Sequence, residues 1–234
     1  GFAIDTNGDG VKESFAAGAT ATISGVGTLV VNANGTFTFT PAANYNGVVP
    51  TATYTISDGH GGSATANLVL GDIVDVNDAP VATDNTYTVT EDTARSGNVL
   101  TDGTADSDVD GDTLTVTGFA IDTNGDGVKE SFTAGATATI SGVGTLVVNA
   151  NGTFTFTPAA NYNGVVPTAT YTISDGHGGS ATANLVLGDI VDVNDAPVAT
   201  DNSYTVTEDT ARTGNVLTDG TADSDVDEIG RAHV

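Results

Sequence analysis

Residues Gly1 to Asp110 return as Gly118 to Asp227, an offset of 117 residues, and over those 110 pairs three differ: Ala16 against Thr133, Thr86 against Ser203, and Ser96 against Thr213. A repeat of that length is a domain, well above the roughly 20 to 50 residues of a solenoid unit, so each copy must hold its own core. The punctuation is Asp72 to Pro80, DIVDVNDAP, which recurs as Asp189 to Pro197. There a Val/Ile run breaks into Asn77 and Asp78 and meets Pro80, which cannot continue a ladder. Cutting at that strap gives a unit over 1–78 without its first strands, a whole unit over 79–195, and the start of a third over 196–228. Pairing fails at Glu228, and residues 229–234, IGRAHV, are what the start of a common short-read sequencing adapter encodes, so they are expected to be foreign to the repeat. Opening in mid-pattern at Gly1 and holding no Met, the chain is expected to be a fragment. Its first unit, lacking counterparts of residues 80–117, should be frayed in isolation or borrow the equivalent strands of the third copy.

Within the whole unit the local pattern is β. Thr86–Thr90, Thr113–Thr117, Thr145–Val148, Thr153–Thr157, Thr168–Ser174 and Ser180–Val193 alternate Thr with apolar or aromatic residues, a period of two that buries one face. Phe154 and Phe156 should point inward with Thr153, Thr155 and Thr157 in water, and Tyr171 with Ile173 repeats the arrangement. Asn151-Gly152 and Asn163-Gly164 are expected to supply the positive φ angles of hairpin turns. With no helical stripe and about seven short strands in roughly a hundred residues, the sequence predicts an all-β fold, a rod of tandem Greek-key β-sandwich domains.

Charge narrows the partners. Thirty acids against five Lys+Arg give a formal net charge of −25, which disfavours nucleic acid and anionic membranes because both need a basic face. A chain this acidic could be disordered, but 38% hydrophobic and 15% charged residues argue that it folds. Without cysteine it has neither a disulfide staple nor a zinc-thiolate site. No run is apolar enough to span a bilayer. His60 and His177 stand alone in DGHGG loops, where a turn role is expected, and no nucleophile elbow is present, so no catalytic activity is expected.

The acids gather in two places. The strap carries Asp72, Asp75 and Asp78 with no Lys or Arg, and the segment Ala105 to Asp112 carries Asp106, Asp108, Asp110 and Asp112 at alternating positions, all on one side of an extended chain. Two unit charges about 5 Å apart at an effective dielectric near 20 repel by on the order of 3 kcal/mol, so a bound dication is the simplest relief, and oxygen-seeking Ca²⁺ is the usual one. A solvated acidic loop is the alternative. A separate motif, Asp122-Thr123-Asn124-Gly125-Asp126-Gly127 with its copy at Asp5, Asn7 and Asp9, matches the first half of an EF-hand-type loop. Its second half fails, because position twelve is Thr133 or Ala16, and a plain Asn/Asp/Gly turn fits equally.

Three motifs in order carry a resemblance. Asp75-Val76-Asn77-Asp78-Ala79-Pro80 is similar to the cadherin linker DxNDN, Ala105-Asp106-Ser107-Asp108 to A-x-D-x-D, and Ser174-Asp175-Gly176-His177-Gly178 to the D-x-G turn. The chain up to the tail resembles the cadherin-like and bacterial Ig-like repeats of large, type I secreted, biofilm-associated surface adhesins. The resemblance implies one Ca²⁺ junction among Asp75, Asn77, Asp78, Asp106, Asp108 and Asp175. It implies a second among Glu91, Asp192, Asn194, Asp195, Asp223 and Asp225. Cadherins also use an LDRE motif, and residues 154–164 hold no acid, a departure that bears on the number of ions per junction. An extracellular extender on a bacterial surface is then expected, its partners the neighbouring repeats, with surface glycans or sister adhesins met through a tip outside this segment. The alternatives are a directly adhesive module, with Tyr162 stacking on a sugar, and an accessory domain of a secreted hydrolase.

Overall fold

A computed structural model describes residues 1–225 and 227. Val226 and Glu228 to Val234, including the whole segment expected to be adapter-encoded, lie outside the described residues. Strands and turns make up the regular structure, with no helix among the described residues. The chain divides into two compact units, Gly1–Asp78 and Ala79–Val234, so the described part of the third copy falls in the second unit.

The first unit contains β1 (Phe2–Ile4), β2 (Glu13–Phe15), β3 (Thr20–Ile23), β4 (Gly27–Val31), β5 (Phe37–Pro41), β6 (Gly47–Val48), β7 (Ala52–Ser57), β8 (Ser63–Leu68) and β9 (Asp72–Ile73). They form sheets in the orders β2-β1-β7-β8, β3-β4-β5 and β6-β9. Phe2, Ile4, Ile23 and Leu29 anchor its core.

The second unit adds β10 (Asn85–Thr86), β11 (Val89–Thr90), β12 (Arg95–Asn98), β13 (Thr115–Ile121), β14 (Glu130–Thr133), β15 (Thr137–Ile140), β16 (Gly144–Val148), β17 (Thr153–Pro158), β18 (Ala169–Ser174), β19 (Ser180–Val186) and β20 (Ile190–Val191). A five-stranded sheet, β10-β19-β18-β13-β14, and a four-stranded one, β12-β17-β16-β15, share one apolar core, with β11-β20 as a small third sheet. Alternation places the core as expected: Phe154, Phe156, Tyr171 and Ile173 are buried, while Thr155 and Thr157 face water. Tyr87 closes the core from the edge, its ring 4.7 Å from that of Phe154. The Tyr171 hydroxyl lies 2.7 Å from Thr83 O and 3.1 Å from Asp106 Oδ2, and burial followed by the Asp106 charge pushes its pKa up.

Several expected elements are drawn differently. The run Thr86–Thr90 is two short strands, because β10 pairs in parallel with β19 and β11 with β20, so the chain changes partner between them. Ser180–Val193 is likewise cut into β19 and β20, with Gly188 at φ 61° between them. The strand expected at Thr113–Thr117 starts at Thr115 and runs through a register shift between Val116 and Gly118 to Ile121. β12, β14 and β15 were not expected from alternation; each is four residues long. Gly152 takes the positive φ expected of it, 82°, but in the Asn161 to Gly164 turn the positive φ belongs to Asn161, at 56°. Asn161 tolerates that region, and its N–H donates to Asp92 Oδ1 at 3.0 Å, which fixes the turn.

Candidate metal centre

The strap leaving β20 passes directly beside the chain leaving β11, because those strands run parallel, Val89 opposite Ile190 and Thr90 opposite Val191. Glu91 N–H extends the ladder to Val191 O at 3.0 Å, and its carboxylate Oε1 accepts Val193 N–H at 2.9 Å. The Glu91 side chain is thereby held inside, 2% exposed, a position carboxylates rarely take without compensation. Asp92 follows at φ 54°.

Around Glu91 the acids converge. Glu91, Asp92 and Asp195 each offer an oxygen within 4.8 Å of the others, and so do Glu91, Asp192 and Asp227. Asp195 N–H donates to Asp227 Oδ2 at 2.6 Å, Asp227 N–H to Asp225 Oδ1 at 2.9 Å, and Asn194 Nδ2 to Asp195 O at 2.7 Å. Asn163 Nδ2 donates to Asp192 Oδ1 at 2.7 Å. Asp195 Oδ2 is buried and accepts no hydrogen bond. Desolvation first, then the charges of Asp227, Asp92, Asp225 and Asp192, raise the Asp195 pKa above the usual carboxylate range. Like charges with an orphaned oxygen are what a hard, oxygen-ligated dication relieves, so the donor set fits Ca²⁺.

Other sequence-expected ligands go elsewhere. Asp223 Oδ1 accepts Thr200 N–H at 2.7 Å, and Asp106 Oδ1 takes Thr83 N–H at 2.7 Å, so each ties its acidic segment to a threonine 23 residues earlier in the chain. Asp175 is 3% exposed, and its Oδ1 accepts the N–H groups of His177, Gly178 and Gly179 at 2.8, 3.1 and 3.0 Å. Asp108, Asp110 and Asp112 do cluster within 4.8 Å, with Asp108 Oδ2 buried and unpartnered. His177 Nδ1 lies 3.0 Å from Asp112 Oδ2. In the first unit Asp75 Oδ1 accepts Asn46 Nδ2 at 2.6 Å, repeating the Asp192 contact, and Asn77 Nδ2 donates to Asp78 O at 3.1 Å.

Two members of the Glu91 centre were absent from the sequence-derived set. Asp227 was legible, since the offset maps it onto Asp110 of the acidic segment. Asp92 carried only its adjacency to Glu91 as a signal.

The D-x-N-x-D-G loops spend their oxygens on their own backbone. Asp122 Oδ1 accepts N–H from Asn124 and Gly125, and Oδ2 from Gly127, at 3.2, 2.7 and 2.9 Å. Asn124 Oδ1 accepts Asp126 N–H, and Asp126 Oδ1 accepts Val128 N–H. These bonds, that from Gly127 foremost, lower the Asp122 pKa, and Asp5 in the first copy is held down in the same way by Gly10. Asp122→Ala should therefore lower the melting temperature in EDTA and leave the increment given by calcium intact. Loss of that increment in a thermal melt would make the loop a metal site.

Two facing sheets, and a strap at which acids of one sandwich meet the start of the next, define a β-sandwich repeat made to be joined in tandem. Residues 77–188 match the family model of the bacterial cadherin-like domain, and residues 3–71 that of the cadherin-like domain. The chain belongs to the cadherin-like repeats, all-β sandwiches that generally bind calcium, typically act as structural or adhesive modules rather than catalysts, and in bacteria are usually extracellular. A comparison with curated proteins gave no match. No helix among the described residues is long and apolar enough to cross a membrane.

Proposed function

We propose that this chain is an extender segment of a bacterial extracellular adhesin, in which calcium held at the straps fixes each sandwich against the next. The observation that carries the reading is the buried, unpartnered Asp195 Oδ2 beside Glu91 and Asp92, at the point where one repeat hands over to the next. Glu91, Asp92, Asp192, Asp195 and Asp227 would hold the ion, which supplies positive charge to a set of oxygens that otherwise repel. Without it the carboxylates push the strap away from Glu91, and the link between repeats loosens. With it, the Val193 N–H to Glu91 bond and the Asn163 to Asp192 bond hold the strap in register.

Extracellular sites of this type bind with dissociation constants of roughly 0.1 to 1 mM, so the low free calcium inside a cell would leave the chain loose during export. Small-angle scattering of the protein in EDTA and in millimolar calcium tests the reading. A maximum dimension that becomes longer and better defined with calcium is expected, and identical profiles would refute stiffening. The adhesive alternative gains no support from Tyr162, which packs against the core and donates its hydroxyl to Val165 O at 2.9 Å.

A further inference from the structure

Asparagine precedes glycine at Asn7, Asn34, Asn46, Asn124, Asn151 and Asn163. In such a pair the glycine nitrogen, with no Cβ beside it, can attack the asparagine carboxamide carbon, the route by which asparagine loses its amide. The attack needs that nitrogen free, and several of these turns tie it down. Gly8 and Gly125 N–H donate to Asp5 Oδ1 and Asp122 Oδ1, each at 2.7 Å. Gly35 N–H donates to Asn32 O at 3.0 Å and Gly152 N–H to Asn149 O at 2.9 Å.

Gly164 differs. Its carbonyl accepts Ile190 N–H at 3.1 Å, but its own N–H meets no acceptor among the described residues. The fold needs glycine there, because a Cβ would stand 2.5 Å from the Tyr162 hydroxyl, which is fixed by donating to Val165 O at 2.9 Å. Asn163 before it is exposed, and its Nδ2 donates to Asp192 Oδ1 at 2.7 Å, tying the turn to the strap. Among the described residues that is the only bond its carboxamide makes. In the same repeat the carboxamide oxygens of Asn124 and Asn151 are held by the backbone that follows them, by Asp126 N–H at 2.9 Å and Thr153 N–H at 3.2 Å. The counterpart of Asn163 in the first unit repeats the tie, Asn46 Nδ2 donating to Asp75 Oδ1 at 2.6 Å.

We propose that Asn163-Gly164 is a deamidation site of the whole repeat, and that its conversion releases the strap from the turn. Gly164 N attacks Asn163 Cγ and gives up its proton, Nδ2 leaves as ammonia, and water opens the resulting succinimide to aspartate or isoaspartate. The product exchanges an N–H donor for a carboxylate facing Asp192, so an attraction at 2.7 Å becomes a repulsion between like charges. Water is the only co-reactant, and the lost ammonia is not regained, so the strap loosens as a molecule ages. One consequence rests on the calcium reading proposed above: an ion held by Asp192 and its neighbours fixes the strap against the turn and slows the attack.

Incubating the intact chain in a warm, mildly alkaline EDTA buffer and mapping its peptides by mass spectrometry tests the site. Trypsin keeps the copies apart, since cuts after Lys12, Arg95, Lys129 and Arg212 give 13–95 and 130–212, which differ at Ala16 against Thr133 and Thr86 against Ser203. Asn163 should convert at least severalfold faster than Asn124 and Asn151, and conversion no faster than theirs would overturn the assignment. Thermal melts in EDTA read the release: Asn163→Ala removes the bond, and Asn163→Asp removes it and adds the charge, so the second should melt below the first and both below the unaltered chain. An Asn163→Asp protein that melts with the unaltered chain would overturn the release. In millimolar calcium the Asn163 rate should fall severalfold while that of Asn151 stays the same. A rate undiminished by calcium, with Asn163 still the fastest, would bear out the deamidation site and count against calcium at the strap.

Discussion

Glu91→Gln is expected to remove the calcium-dependent rise in melting temperature that the proposed site would give the whole repeat. Calcium at about 100 times its dissociation constant stabilises a folded site by about 2.7 kcal/mol, which for a domain of this size is a shift on the order of 10 °C. Glu91 belongs to both groups of converging acids, so its replacement removes an oxygen anion from each. The amide oxygen can still accept Val193 N–H, so the strap keeps its anchor. In EDTA the variant should melt at or above the unaltered protein, because one of the charges crowding the centre is gone. Calorimetry in calcium and in EDTA reads both effects. A variant that keeps the full calcium increment would place the ion away from Glu91.

Phe154→Ala and Phe37→Ala should differ severalfold in cost although the two positions are equivalent in the repeat. Truncating a buried Phe costs about 3 to 5 kcal/mol through lost burial and the cavity left behind. Phe154 is 1% exposed, between Tyr87 and the strand β12 that lies over it, and should show the full loss. Phe37 is 48% exposed and should cost about 1 kcal/mol or less in the monomer. Denaturant melts of the two units, followed by hydrogen exchange to assign each transition, would measure the pair. Equal losses would mean that strands other than β12 bury these rings.

Much of the fold was legible because alternation is a local property. Phe154, Phe156, Tyr171 and Ile173 lie inside as their spacing requires, and the 117-residue offset marks the repeat. The short edge strands β12, β14 and β15 were not, since four residues hold too few alternations to stand out from a loop. The acids were readable as a concentration of charge at the strap, but their division of labour was not. Asp106 and Asp223 sit in acidic segments like their neighbours, yet each serves a backbone N–H of a threonine 23 residues away.

By itself, then, the sequence determined that the chain is a tandem of β-sandwiches, which residues face inward, and that negative charge accumulates where copies meet. Only the tertiary structure decided which carboxylates share a centre. Glu91 and Val193 are 102 residues apart and meet because β11 and β20 pair in parallel, a non-local contact that leaves no periodic trace in either segment. The same pairing buries Glu91, and burial, which depends on everything packed around a residue, turns an ordinary acid in a T-E-D triplet into the pivot of the site.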